Sequence, residues 1–158
     1  MEKGRQHLKR FSRLSEQDKK IRNFRIGLLN HPNDPTLYYA LGVVFGERGE
    51  LAAAMRKYEQ AIAADSGFVR AYNNLGNALL RSRQVDRALD TFRRAIAIDS
   101  TYALAHNGLG NALLVHGDPQ GAVEAYRRAA DLDEGSTEFQ RNLEVAEQVA
   151  ATGAPREQ

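Results

Sequence analysis

A chain of 158 residues without a cysteine is long enough for one domain with a continuous core, and it excludes disulfides, thiolate nucleophiles and cysteine-ligated metals. No apolar run approaches the roughly 20 residues needed to span a bilayer, and the opening MEKGRQHLKRF lacks the apolar stretch of a secretory signal, so a soluble, cytoplasmic protein is expected. The net charge of +2 hides an asymmetry: residues 1–25 hold nine Lys or Arg against three Asp or Glu, a net +6, which leaves −4 on the remainder.

From Met1 to Asn30 the pattern is helical. Leu8, Phe11 and Leu14 fall at helical spacing, and a second stripe runs through Ile21, Phe24 and Leu28. Ser15, followed three residues later by Asp18, has the form of a helix N-terminus. The turn His31-Pro32-Asn33-Asp34-Pro35 ends this segment, with Asp34 as the next cap and Pro35 just inside the next helix. A basic arm can meet an anionic partner. Nucleic acid and membrane are nonetheless not expected, because only Phe11 and Phe24 could stack on bases and no nucleic-acid fold is present.

The string YNNLGNALL at Tyr72–Leu80 returns as HNGLGNALL at His106–Leu114, thirty-four residues on. Over the full windows 69–102 and 103–136 thirteen positions are identical, and one step back lands on Tyr38, Leu41, Gly42 and Phe45. A fixed period of this length is one supersecondary unit repeated. Phe24 and Pro32 keep the register, so residues 1–34 are expected to be a degenerate repeat or capping helices.

Each unit carries two amphipathic helices. The first unit places one through Tyr38, Leu41, Val44 and Phe45, ending near Gly49, and a second through Leu51, Ala54, Met55, Tyr58 and Ile62. The later units give helices over roughly 69–82, 85–98, 103–116 and 119–132, with Gly117 closing one and Asp118-Pro119 opening the next. Gly42, Gly76 and Gly110 sit in mid-helix, where glycine costs about 1 kcal/mol relative to alanine. A cost repeated in every unit implies close approach of the paired helix, expected opposite Ala54, Ala88 and Ala122. A last helix over 137–151 shows one apolar stripe, Phe139, Leu143, Ala146 and Val149 or Ala150, and 152–158 is expected to be a disordered tail.

A large residue, Leu-Gly, a second large residue, then Ala and an aromatic four later recurs three times. It reads Tyr38, Leu41, Gly42, Phe45, Ala54, Tyr58; then Tyr72, Leu75, Gly76, Leu79, Ala88, Phe92; then His106, Leu109, Gly110, Leu113, Ala122, Tyr126. In this the chain resembles tetratricopeptide repeat proteins. The resemblance implies an all-α fold, a right-handed α-solenoid of tandem antiparallel helix pairs, with repeats at 35–68, 69–102 and 103–136. The departures are small: the first large residue is Tyr or His, and the proline usual between units is replaced by Ser66, Ser100 and Glu134. Both serines are expected to cap the helix that follows.

The resemblance also implies a binding surface. Tetratricopeptide proteins take an extended peptide or partner helix on a concave face built from the first helix of each unit. On that face helical spacing puts Tyr39 in the first unit, Arg70, Asn73, Asn77 and Arg81 in the second, and Leu104, Asn107, Asn111 and Val115 in the third. Asparagine is a mediocre helix former, so four on one face point to side-chain amides that hold a peptide backbone. Arg70 and Arg81 bias the groove toward an acidic segment. Some members clamp a chaperone's C-terminal carboxylate with lysine and asparagine on one unit and lysine and arginine on another. Here Tyr39 and Val43, then Leu104 and Gly108, stand at those places, so that clamp is absent.

No reacting constellation emerges. The four histidines are dispersed, no pair has metal-ligand spacing, and Asp65, Asp99 and Asp133 recur at the repeat period as turn residues. No catalytic residue, metal or cofactor is expected. The reading is a non-catalytic adaptor or scaffold binding a protein segment. The alternative is a self-assembling scaffold in which the N-terminal helical arm docks on a neighbouring copy.

Overall fold

The computed structural model describes residues 2–153, and the side chains of residues 12–153. Among these residues there are eight helices and no strand: α1 (Glu2–Asn30), α2 (Pro35–Glu47), α3 (Leu51–Ala64), α4 (Val69–Arg81), α5 (Val85–Ile98), α6 (Ala103–His116), α7 (Pro119–Leu132) and α8 (Thr137–Thr152). The expected fold class, all-α with tandem antiparallel helix pairs, is the one the chain adopts. The chain divides into two compact units, Met1–Ser66 and Gly67–Gln158. In the first, α1 and α3 each pack on α2. In the second, α4 pairs with α5, α6 with α7 and α7 with α8, while α5 lies on α6 and α4 lies beside α6.

The caps read from the sequence at Asp34, Gly117 and Asp118 hold. The Asp34 carboxylate accepts from the Thr36 N–H at 2.8 Å and the Leu37 N–H at 3.4 Å, and Pro35 follows in the first turn. The side-chain hydrogen bond from Thr36 leads the causes that lower the Asp34 pKa. Asp118 accepts from the Gly121 N–H at 2.9 Å ahead of α7, and Gly117 before it sits at φ +88°, a backbone open to glycine at little cost.

Four expectations need correction. Ser15 lies inside α1, which runs unbroken, so it starts no helix. Ser66 and Ser100 are not caps: Phe68 and Tyr102 stand at the N-termini of α4 and α6, without a side-chain capping bond. Asp99 holds the second turn instead, its carboxylate accepting from the N–H and hydroxyl of Thr101 at 2.9 and 2.7 Å. Third, the glycines do not simply face alanine. A Cβ at Gly76 would fall 2.7 Å from the Phe92 ring, and one at Gly110 2.7 Å from the Tyr126 ring. The aromatic four residues after each alanine needs the gap, and it is buried to 4, 0 and 1% exposure at Tyr58, Phe92 and Tyr126. Fourth, of the expected tail, Thr152 closes α8 and Gly153 follows at φ +56°; residues 154–158 lie outside the described residues. The side chains of Leu8 and Phe11 also lie outside them.

One hydrogen bond recurs in three of the four first-type helices. A side chain in the first turn reaches the carbonyl six residues earlier: Tyr38 donates to Pro32 at 2.8 Å, the His106 Nε2 lies 3.0 Å from the Ser100 carbonyl, and Gln140 donates to Glu134 at 2.8 Å. The bond forms with Pro32, Ser100 or Glu134 at the usual proline place, and it gives His106 a structural partner.

Candidate functional site

The first helices α4 and α6 lie side by side within the second unit, so their matching residues form one patch. At its edges α4 presents Arg70 and Arg81, both exposed, with the Arg70 guanidinium 5.3 Å from the centre of the Phe68 ring. At the same positions α6 presents Leu104 and Val115, both exposed hydrophobics. The patch is therefore cationic along α4 and apolar along α6.

Between these edges stand the four asparagines, and the fold treats them differently. Asn77 is exposed. Asn111 is half-buried, and its carbonyl oxygen accepts from the Tyr126 hydroxyl at 2.6 Å. Burial pushes the Tyr126 phenol up to about 12. Asn107 is 6% exposed, and its carbonyl accepts from the Asn142 amide of α8 at 2.9 Å. Asn73, 5% exposed, donates to the Asn74 carbonyl at 3.3 Å, while its own Oδ1 is buried with no hydrogen-bond partner.

The cause of that difference is in the repeat register. Asn142 stands thirty-four residues after Gly108. Where α8 offers Asn107 a side-chain amide, α6 offers Asn73 a glycine, and the space beside Gly108 is taken by the Phe92 ring. Leaving a buried amide oxygen unpaired costs about 1–3 kcal/mol. Sequence reasoning singled out Asn73 and Asn107 but missed Asn142, Gly108 and the Tyr126 hydroxyl. The periodic alignment could have found all three.

Tyr39 belongs to the first unit. It is half-buried, with its ring centre 5.9 Å from that of Tyr58. The first unit also holds a basic spot where Lys57 lies 5.4 Å from the Tyr38 ring centre; burial first, then Arg25 and Arg56, lowers its pKa. Among the described residues no group of three or more His, Cys, Asp or Glu could hold a metal ion, and no helix is long and apolar enough to cross a membrane. What the patch can do chemically is give and accept hydrogen bonds, attract negative charge along α4 and bury apolar side chains along α6.

The sequence pattern of the tetratricopeptide repeat matches residues 21–67, 39–103 and 73–137. No curated protein matches the chain in sequence. Among solved structures, a crystal structure of MamA is similar at 25% identity and a TM-score of 0.77, over 88% of this chain and 80% of that one. A second crystal structure of MamA protein gives 25% identity and 0.76, over 87% and 75%. The first TPR of Spaghetti (RPAP3), bound to the HSP90 peptide SRMEEVD, shares the fold at 20% identity and 0.72, over 75% and 94%.

Proposed function

The chain belongs to the tetratricopeptide repeat family, and from that premise we propose that it is a non-catalytic interaction module, an adaptor or scaffold of the cytoplasm. Its α4–α6 patch binds an extended peptide segment of a partner protein. The observation that carries this reading is the exposed run on the helix face that this family turns to its ligands: the Asn77 amide between Arg70 and Arg81 on α4, with Leu104 and Val115 on α6. Arg70 and Arg81 favour an acidic segment, and Leu104 and Val115 favour bulky apolar side chains on its other flank. One structural neighbour holds an acidic peptide. This chain has Tyr39, Val43, Leu104 and Gly108 where the carboxylate clamp would need its charged and amide groups, so a free C-terminus is not required of its ligand.

The test is a peptide-display library panned on the whole chain, with the recovered peptides measured against Asn73→Ala/Asn77→Ala. Asn111 is left intact because its carbonyl serves Tyr126. Recovered sequences should be acidic with bulky apolar residues, and should lose at least about tenfold in affinity on the variant, near 1.4 kcal/mol. Equal affinity for both proteins would remove the patch from the ligand's path.

A further inference from the structure

In the thirty-four-residue register α1 falls in line with the second helices α3, α5 and α7, and α8 with the first helices α2, α4 and α6. Ile21 stands with Met55, Leu89 and Val123, and Phe24 with Tyr58, Phe92 and Tyr126; Leu143 stands with Leu41, Leu75 and Leu109. Both helices depart from their class at the surface that joins the two halves of a repeat. Where the other second helices carry the fully buried Ala54, Ala88 and Ala122, α1 carries Lys20, which is exposed. Where the other first helices carry Gly42, Gly76 and Gly110, α8 carries Glu144, also exposed. Phe24 is only half-buried, whereas its three counterparts are buried.

These departures are complementary in charge. Along α1 from residue 12 the exposed Arg13, Lys19, Lys20, Arg22 and Arg25 outnumber Glu16 and Asp18; along α8 Glu138, Glu144 and Glu147 outnumber Arg141. Gln17 and Asp18 tie α1 to Glu47 and Arg48 at the end of α2, at 3.2 and 2.6 Å, and Lys20 stays exposed. In the first repeat, a Cβ at Gly46 would lie 3.9 Å from that of Ala54. The corresponding pair is Gln148 and Lys20, which sets the lysine one turn from Glu144 and beside Glu147.

We propose that α8 of one copy packs on α1 of a second copy, the exposed Lys20 and its basic neighbours on α1 meeting the exposed Glu144 on α8. Among the second-type helices, α1 is the one with a cation, Lys20, at the place that Ala54, Ala88 and Ala122 hold in the others. The contact is head-to-tail, so copies add in series unless a ring closes, and it weakens with salt.

Light scattering on the full chain at low salt tests this. The mass should rise with concentration above the 17.6 kDa of one chain, and Lys20→Glu or Glu144→Lys alone should weaken association at least tenfold. Lys20→Glu and Glu144→Lys together in one chain should restore it. Circular dichroism of each variant, and the milder pair Lys20→Gln and Glu144→Gln, keep loss of association apart from loss of fold. Asn73→Ala/Asn77→Ala should associate like the wild type, so this contact and the peptide patch stand or fall separately. A wild type that stays at one chain mass, or a double reversal that regains nothing, overturns the proposal. So does capture of the wild type by phosphatidylserine vesicles without self-association, which would assign α1 to lipid.

Discussion

Asn73 and Asn107 are the same residue at the same turn of α4 and α6, buried to within a percentage point of each other, yet only Asn107 has its carbonyl hydrogen-bonded. The residue that decides is Asn142 in one case and Gly108 in the other. The same two intervals differ around their buried aromatics. A Cβ on either Gly76 or Gly108 would press on the Phe92 ring, whereas Tyr126 stands against Gly110 and spends its hydroxyl on Asn111. Near-identical sequence thus yields one repeat whose buried amide oxygen is paired and one whose buried amide oxygen is not. In a stacked array each unit's chemistry is finished by the next one, so the meaning of these asparagines depends on the position thirty-five further along.

The largest expected effect tests the aromatic half of the comparison. Phe92→Ala empties the space between two first helices and should cost about 3–5 kcal/mol, read as a shift of the denaturant midpoint. Tyr126→Phe keeps the ring and removes only the hydroxyl, so about 1 kcal/mol is expected. A smaller loss for Phe92→Ala than for Tyr126→Phe would mean the ring between α4 and α6 is not packed as described.

Next comes the asparagine pair. Asn142→Ala leaves the Asn107 oxygen buried and unpaired and should cost about 1–3 kcal/mol, whereas Asn73→Ala removes an oxygen already unpaired and should be close to neutral. Equal losses in the two variants would erase the distinction between the repeats.

The Tyr126 phenol adds a dependence on pH. Its folded value of about 12 lies above the ordinary 10.0, so the folded protein holds this proton more tightly than the unfolded chain. The stability it contributes is complete below pH 10 and is lost as pH rises from there toward 12. Chemical denaturation at several pH values should show a decline over that interval that is shallower in Tyr126→Phe. Parallel declines in the two proteins would show that the phenol does not titrate there.

Much of this was legible in advance. The helices of the second and third repeats lie within about one residue of their expected ends, because Gly117, Asp118 and Pro119 act locally on the backbone. Errors entered where a residue's role depends on tertiary neighbours. Serine is a good cap by nature, but at 66 and 100 the chain turns before the hydroxyl can serve the next helix, and Asp99 with Thr101 takes that role in the second turn. The bond that the Asn111 carbonyl takes from a tyrosine fifteen residues away was likewise not foreseen. Propensity sees none of these long-range partners, whereas register does.

The smallest expected effect sits at the loop between the helices of a pair, where register again separates the second repeat from its neighbours. Gly49 and Gly117 hold this place at φ +79° and +88°, and Arg83 holds it at +60°. A left-handed backbone costs a residue with a Cβ roughly 1–2 kcal/mol, while glycine gives back about 0.4–1 kcal/mol through the freedom it gains in the unfolded chain. Arg83→Gly should therefore stabilise the protein, by about 1 kcal/mol or less. Gly117→Arg, the same exchange made in the third repeat, should destabilise it by a similar amount. If Arg83→Gly lowers the denaturant midpoint, the arginine side chain contributes more than its backbone strain removes, and the second repeat differs from the third for a reason other than strain.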